Sequence, residues 1–423
     1  MDLLIRTLKA NKYNTKWVMN ITDVGHLTSD SDEGEDKLEK GARREGKTAW
    51  EVAEYYTKEF LDGMNQLNIL TPDKIVKATD HIKEQIELIQ ILVDKGYGYL
   101  IADGVYYDTS KFESYKEFAR LDLDEQQEGA RVASNPDKRN PTDFALWKLS
   151  PANSHRDMEW DSAWGKGFPG WHIECSAMSM KFLGQTIDIH TGGIDHIPVH
   201  HTNEIAQSEA ASGKRFANYW MHSNHITINE QKISKSLGNG ISLADVIDRG
   251  FSPEVLRLHV LESHYQSQSK FSWESLQAAK NRLSELYAMA VLKYQLIENV
   301  DKKPDVNISD VAKEIKKHMS NNLDTPQVVA YLSRVANELL TSGIDNSMIE
   351  DFKAMLSDID RYLGLKLGLI SDIDDATKLL IKEREQYRVE QNWDKADELR
   401  KKLEDKNILI KDKPRYSQWQ WTS

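Results

Sequence analysis

The stretch His190-Thr191-Gly192-Gly193-Ile194-Asp195-His196-Ile197-Pro198-Val199-His200-His201-Thr202-Asn203-Glu204-Ile205-Ala206-Gln207 decides how the rest of the chain is read. Paired glycines lead into a segment where His200 and Glu204 stand four residues apart. On a helix that spacing puts both side chains on one face, where they can grip one metal ion. Upstream, Gly170-Trp171-His172-Ile173-Glu174-Cys175-Ser176-Ala177-Met178 is a strand-like run that sets the only cysteine beside an aromatic. Cys175, His200 and Glu204 together make a sulphur–nitrogen–oxygen zinc set with an open position. Downstream, Lys232-Ile233-Ser234-Lys235-Ser236-Leu237-Gly238-Asn239 carries two lysines three apart among small hydroxyl residues. Such a loop can close over a triphosphate and neutralise charge developing on its phosphoryl groups. Strand-like and helix-like pieces alternate from Gly170 to Asp248.

Composition agrees with a chemical role for this region. Seven of the thirteen histidines (172, 190, 196, 200, 201, 222 and 225) fall in one window with the lone cysteine. Imidazole and thiolate are the usual zinc ligands, although a few satisfied core histidines would be the plainer explanation. The 423 residues suffice for two to four domains, and 39% hydrophobic with 29% charged residues is the balance of a soluble globular chain. No apolar run approaches the roughly 18 residues of a membrane span. A single cysteine excludes an intrachain disulfide and fits a reducing cytoplasm. The net charge of −12 argues against a globally basic nucleic-acid binder. It conceals an uneven distribution: residues 376–423 hold twelve Lys/Arg and nine Asp/Glu, a net of +3, so residues 1–375 carry −15. In that tail the basic residues lead to Tyr416, Trp419 and Trp421, a mixture suited to phosphate contact and base stacking, or simply a solvated helix with a ragged end.

Elsewhere, Lys16–Asp23 reads as a short buried strand. Helical periodicity runs from about Asp36 to Asn68 and again from Ile75 to Lys95, stopping at Gly96. Tyr97–Thr109, centred on Asp103-Gly104, reads as a β-hairpin. Residues 120–165 look irregular, and the chain from Pro253 to about Gly364 looks wholly helical. Gly41-Ala42-Arg43-Arg44-Glu45-Gly46-Lys47-Thr48 satisfies the G-x-x-x-x-G-K-[ST] spacing of a phosphate loop. That loop needs a buried strand before it, whereas Glu35–Lys40 is a charged amphipathic helix pattern, so the match is rejected.

Taken together the motifs resemble class I aminoacyl-tRNA synthetases, and among them cysteinyl-tRNA synthetase. The KISKSLGN run resembles the second class I signature. Asn20–Thr28, Lys138–Lys148, Trp160–Trp171, the Gly170–Met178 and Gly192–Gln207 segments and the tail RVEQNWDKADELRKKLEDKNILIKD resemble the cysteinyl family in its order. This implies an α/β, Rossmann-like catalytic domain (residues 1–72 and 158–250) interrupted by a connective insertion (73–157). A helical bundle (251–370) and a small anticodon-binding module (371–423) follow. The implied reaction is ATP-dependent activation of cysteine to cysteinyl-adenylate, with Mg2+ accompanying the ATP, then transfer to tRNA(Cys). The implied zinc ligands are Cys175, His200 and Glu204; the zinc would bind the substrate thiolate directly and so select cysteine over serine. Trp171 is expected to wall the amino-acid pocket and Thr22 to contact substrate. His190, Gly192, Gly193 and Asp195 are expected to line the nucleotide site, with Lys235 on the phosphates and Lys232 assisting. A cytoplasmic monomer without membrane attachment is expected.

The chain departs from the family at its start. A His-Ile-Gly-His type signature and a first zinc cysteine belong upstream of Asn20, and neither is present, so a truncated catalytic domain with weakened adenylation is expected. Two other readings stand beside the ligase: a tRNA-binding remnant without adenylation, and a related ligase joining cysteine to an amino-sugar.

Overall fold

The computed structural model describes residues 1–25, 36–119, 135–151, 156–228, 231–232, 240–298, 304–414 and 416–422. Two compact units emerge. One comprises Lys16–Asn65 and Thr71–Asn224, the other Met1–Thr15, Gln66–Leu70 and His225–Ser423.

The first unit is α/β. Val18–Ile21 pairs in parallel with Lys74–Lys77, and Ile187–Gly193 pairs in parallel with Ala217–Ser223. A four-stranded antiparallel sheet runs in the order Gly98–Ile101, Gly104–Tyr107, Phe144–Leu149, Gly167–Pro169. The hairpin at Asp103-Gly104 is as expected, and a side chain at Gly104 would meet the Trp147 carbonyl at 2.2 Å. The helices Ile82–Asp94 and Trp171–Leu183 pack in one core with Trp147, carrying Leu88, Ile89, Leu92, Ile173 and Met178.

Three expectations are corrected here. The helix expected from Ile75 starts only at Ile82, because Ile75-Val76 are β-branched and join the strand opposite Met19 and Asn20. The irregular reading of 120–165 misses the strand Phe144–Leu149, four of whose six residues are buried. The Gly170–Met178 run is a helix, not a strand. It is buried at His172, Ile173, Glu174, Ser176, Ala177 and Met178, so it is covered on several sides and shows no amphipathic stripe to read. The long periodicity from Asp36 divides into the helices Lys37–Glu45 and Ala49–Gln66, where Gly46 closes the first in the left-handed conformation (φ 64°). Gly41 lies inside the first helix, so the phosphate-loop spacing is incidental.

In the second unit the described chain from Pro253 to Leu363 is mainly helical, as expected, apart from the strand Ser269–Phe271, which pairs with Ile226–Ile228. Pro253–Leu261, Trp273–Ala290, Val311–Ser320, Thr325–Ser342 and Ile349–Leu363 share a core that includes Leu258, Leu283, Val335, Phe352 and Ile359. The helix Asp2–Ala10 is tied to it by Arg6, whose Nη1 donates to the Asp360 carbonyl at 3.1 Å. The tail forms the helices Asp375–Val389 and Trp393–Glu404 and then a hairpin, Ile408–Asp412 with Ser417–Trp421. Trp419 is no stacking platform. It is 5% exposed among Val291, Ile373, Ile408 and Ile410, and its backbone exchanges hydrogen bonds with the Gln295 amide at 2.8 and 3.0 Å. The aromatic that faces solvent is Trp393, 58% exposed.

Candidate active site

Pro169-Gly170 turns the chain out of the antiparallel sheet and into the Trp171–Leu183 helix. Gly170 is required by close approach: its N–H donates to the Leu146 carbonyl at 2.9 Å, and a Cβ would sit 2.0 Å from the Ala145 oxygen. One turn into the helix stands Cys175, half-buried. The second contributor begins at the strand Ile187–Gly193 and passes through a π-helical turn at Ile197–His201 into the helix Thr202–Ser212. The widened turn brings both His200 and His201 inward, where they are buried, ahead of the fully buried Glu204.

These segments converge. One donor atom each from Cys175, His200 and Glu204 lies within 4.8 Å of the other two, and the same holds for His190, His201 and Glu204. Glu204 Oε2 is the hub, 3.0 Å from His190 Nε2, 3.6 Å from His200 Nε2 and 3.8 Å from His201 Nε2. Its other oxygen, Oε1, is enclosed with no hydrogen-bond partner among the described residues. A buried carboxylate oxygen left unsatisfied costs on the order of 1–3 kcal/mol or more, which a cation would relieve. A thiol, an imidazole and a carboxylate around one point, with a fourth position open, fit a catalytic zinc ion.

The electrostatics follow from burial and from that carboxylate. Burial pushes the Cys175 thiol well above its ordinary range, and the Glu204 and Glu174 charges add to the effect. Burial alone would also raise Glu204, but the surrounding imidazoles, His190 and His200 foremost, hold it below its ordinary value. Desolvation pulls His190 down, but the Glu204 charge and the hydrogen bond to that carboxylate together outweigh it, so His190 is raised. His200 falls well below its ordinary value and His201 is pushed down to about 2, in both cases chiefly by burial. His200 and His201 are therefore held neutral, the form in which imidazole ligates a metal. A buried thiol with so high a pKa needs a cation beside it to become thiolate.

Around this centre, Trp171 lies against His200 with ring centroids 4.4 Å apart. Thr22 is exposed just after the strand Val18–Ile21. Its hydroxyl accepts from Asn20 Nδ2 at 3.3 Å, and the same amide reaches Cys175 Sγ at 3.5 Å. Gly192 and Gly193 end the Ile187–Gly193 strand. A Cβ on Gly192 would meet His201 at 2.6 Å, and one on Gly193 would meet the exposed Asp195 carboxylate at 2.3 Å. Lys232 lies in the short strand Gln231–Lys232, and Lys235 falls outside the described residues. Sequence reasoning did not single out Asn20, nor the hydrogen bonds His172 Nδ1···His200 Nδ1 at 3.0 Å and His201 Nδ1···His222 Nε2 at 2.8 Å. The clustering of histidines was their only signal.

Residues 1–281 match the family described as tRNA synthetases class I (C) catalytic domain. A cysteine–tRNA ligase of Treponema denticola is 42% identical, with the alignment covering 99% of this chain and 90% of that protein. Cysteine–tRNA ligase 1 of Burkholderia lata is 45% identical over 98% of this chain and 86% of its own length. A solved Mycobacterium tuberculosis methionyl-tRNA synthetase in complex with methionyl-adenylate shares the fold, at 13% identity and a TM-score of 0.60 over 87% of each chain.

Proposed function

The chain belongs to the cysteine–tRNA ligase family of class I aminoacyl-tRNA synthetases, and from that membership we propose how its residues divide the work of joining cysteine to tRNA(Cys). It is a ligase of protein biosynthesis. ATP activates the cysteine carboxylate to cysteinyl-adenylate with release of pyrophosphate, and the cysteinyl group then passes to the tRNA. Similarity to cysteine–tRNA ligases along nearly the whole chain favours tRNA over an amino-sugar as acceptor.

The observation that carries the site assignment is the convergence of Cys175, His200 and Glu204 from two separate segments. These three residues hold zinc, which when bound supplies a soft Lewis acid for the substrate sulphur. Cysteine is thereby preferred to serine, whose hydroxyl is a harder and far less acidic ligand, without an editing domain. Trp171 closes the side of the pocket, and Thr22 with Asn20 faces the substrate from the Val18–Ile21 strand. Gly192, Gly193 and Asp195 line the nucleotide site, where the absence of side chains on the glycines lets the backbone approach adenosine. His190 belongs there too, with its Nε2 anchored on Glu204. Lys232 and Lys235 neutralise the triphosphate, which enters with Mg2+. The tail module, with Trp393 exposed, takes the tRNA. No helix among the described residues is long and apolar enough to cross a membrane. The lone cysteine suits a reducing compartment, which supports a cytoplasmic place for the protein, and the family resemblance supports a monomer.

The test is cysteine-dependent ATP–pyrophosphate exchange followed by charging of tRNA(Cys). Exchange is expected with cysteine and orders of magnitude less with serine. Lys235→Ala should lower the exchange rate by about 10²–10³-fold, the loss typical of removing one group that stabilises transition-state charge. Exchange indifferent to cysteine, or charging unaffected by Lys235→Ala, would overturn the assignment.

A further inference from the structure

We propose that His172 is a positioning residue that holds His200 in the one tautomer and ring orientation able to bind the metal. The inference rests on the zinc reading above and adds a residue to it. His172 is 1% exposed on the Trp171–Leu183 helix, one turn before Ser176. Its Nδ1 lies 3.0 Å from His200 Nδ1, while His200 Nε2 faces Glu204 at 3.6 Å. The two nitrogens of His200 thus have separate duties: Nε2 points to the donor set and Nδ1 to His172.

The proton assignment is then forced. A neutral imidazole that ligates through Nε2 carries its proton on Nδ1. That proton can be donated only to a lone pair, so His172 Nδ1 must be the acceptor and His172 must carry its own proton on Nε2. A metal-bound histidine usually gives this second hydrogen bond to a carboxylate or carbonyl, and here another imidazole fills that place. His172 is itself held. Phe144 packs edge-on to its ring with centroids 5.5 Å apart, and the Gln207 amide donates both to the His172 backbone carbonyl and to Ser176 Oγ. Gln207 stands one turn beyond Glu204 on the Thr202–Ser212 helix, so the same helix that carries the carboxylate ligand also fixes the backbone of the residue orienting the imidazole ligand.

Two variants separate this role from mere packing. His172→Asn keeps an acceptor oxygen near the Nδ1 position but loses volume. His172→Leu keeps volume better and removes the acceptor, leaving a buried N–H on His200 unsatisfied. Zinc affinity, read by competition with a chromophoric chelator, is expected to fall by about 10–100-fold in His172→Leu, as for other residues that orient metal ligands, and by much less in His172→Asn. Equal affinities in both variants, or a greater loss in His172→Asn, would overturn the proposal. Because the leucine variant can fail to fold, ¹⁵N NMR of histidine-labelled, zinc-loaded wild type gives a second measurement. His200 Nδ1 should show a protonated shift and His172 Nδ1 an unprotonated one, and the reverse pattern refutes the assignment. If wild-type protein binds no zinc, the metal reading itself fails. If wild type binds zinc and His172→Leu binds it equally well, only the role of His172 fails.

Discussion

Replacing Gly192 by alanine puts one methyl group into the most crowded part of the site. Its carbon would lie 2.6 Å from His201 Cε1, 2.7 Å from His201 Nε2 and 2.8 Å from His196 Nδ1. Ordinary contact is about 3.5–4.0 Å, so the His201 ring has to retreat by roughly 1 Å. It has little room, being 1% exposed, with its Nδ1 held at 2.8 Å from His222 Nε2. A retreat of that size breaks the imidazole pair. Overpacking costs about 1–3 kcal/mol and the lost hydrogen bond about 0.5–1.5, so the sum is about 1.5–4.5 kcal/mol. Urea unfolding of the metal-free protein measures it as a lowered midpoint at unchanged slope. The same methyl group should be far better tolerated beside His201→Ala, because the clash it relieves is shared by the two positions. A Gly192→Ala unfolding free energy within about 0.5 kcal/mol of wild type, or a cost unchanged in the His201→Ala background, would refute the reasoning.

Gly41→Ala tests the rejected phosphate loop: nothing among the described residues lies within 4 Å of the new methyl in the middle of a helix, so stability should rise by about 0.5–1 kcal/mol with exchange activity unchanged. Acid should weaken the tail module through Asp412. Its carboxyl is held below the ordinary range first by hydrogen bonds from Arg384, at 2.6 and 2.9 Å, with Arg388 adding charge. A depressed folded-state pKa contributes stability that is complete above the unfolded value near pH 3.9 and is lost as pH falls through the folded value. Thermal unfolding should therefore show wild type losing its advantage over Asp412→Asn only below about pH 4, and a gap unchanged from pH 6 to pH 3 would contradict this.

Much of the site was legible because it rests on local spacing. His200 and Glu204 share a face wherever a helix passes through them, and two glycines before them announce a close backbone approach. The lone cysteine drew attention by being alone. What escaped the sequence was everything set by neighbours distant along the chain. Gly170–Met178 reads as a strand because a helix buried on several sides, as Trp171–Leu183 is, loses the stripe by which helices are recognised. Ile75-Val76 went to a strand because a partner strand at Val18–Ile21 was waiting for them.

The sequence alone determined which side chains the candidate site can draw on, since the identities and order of Cys175, His190, His200, Glu204 and the two lysines of the KISKS run are covalent facts. Only the tertiary structure decided which nitrogen of each histidine does what, because that depends on which atoms are brought within 3 Å. It set His190 on Glu204 and His172 on His200, and brought Asn20 from 155 residues away to Cys175. It also sent Trp419 into the core and left Trp393 in solvent, a choice that hydrophobicity, the same for both side chains, could not make.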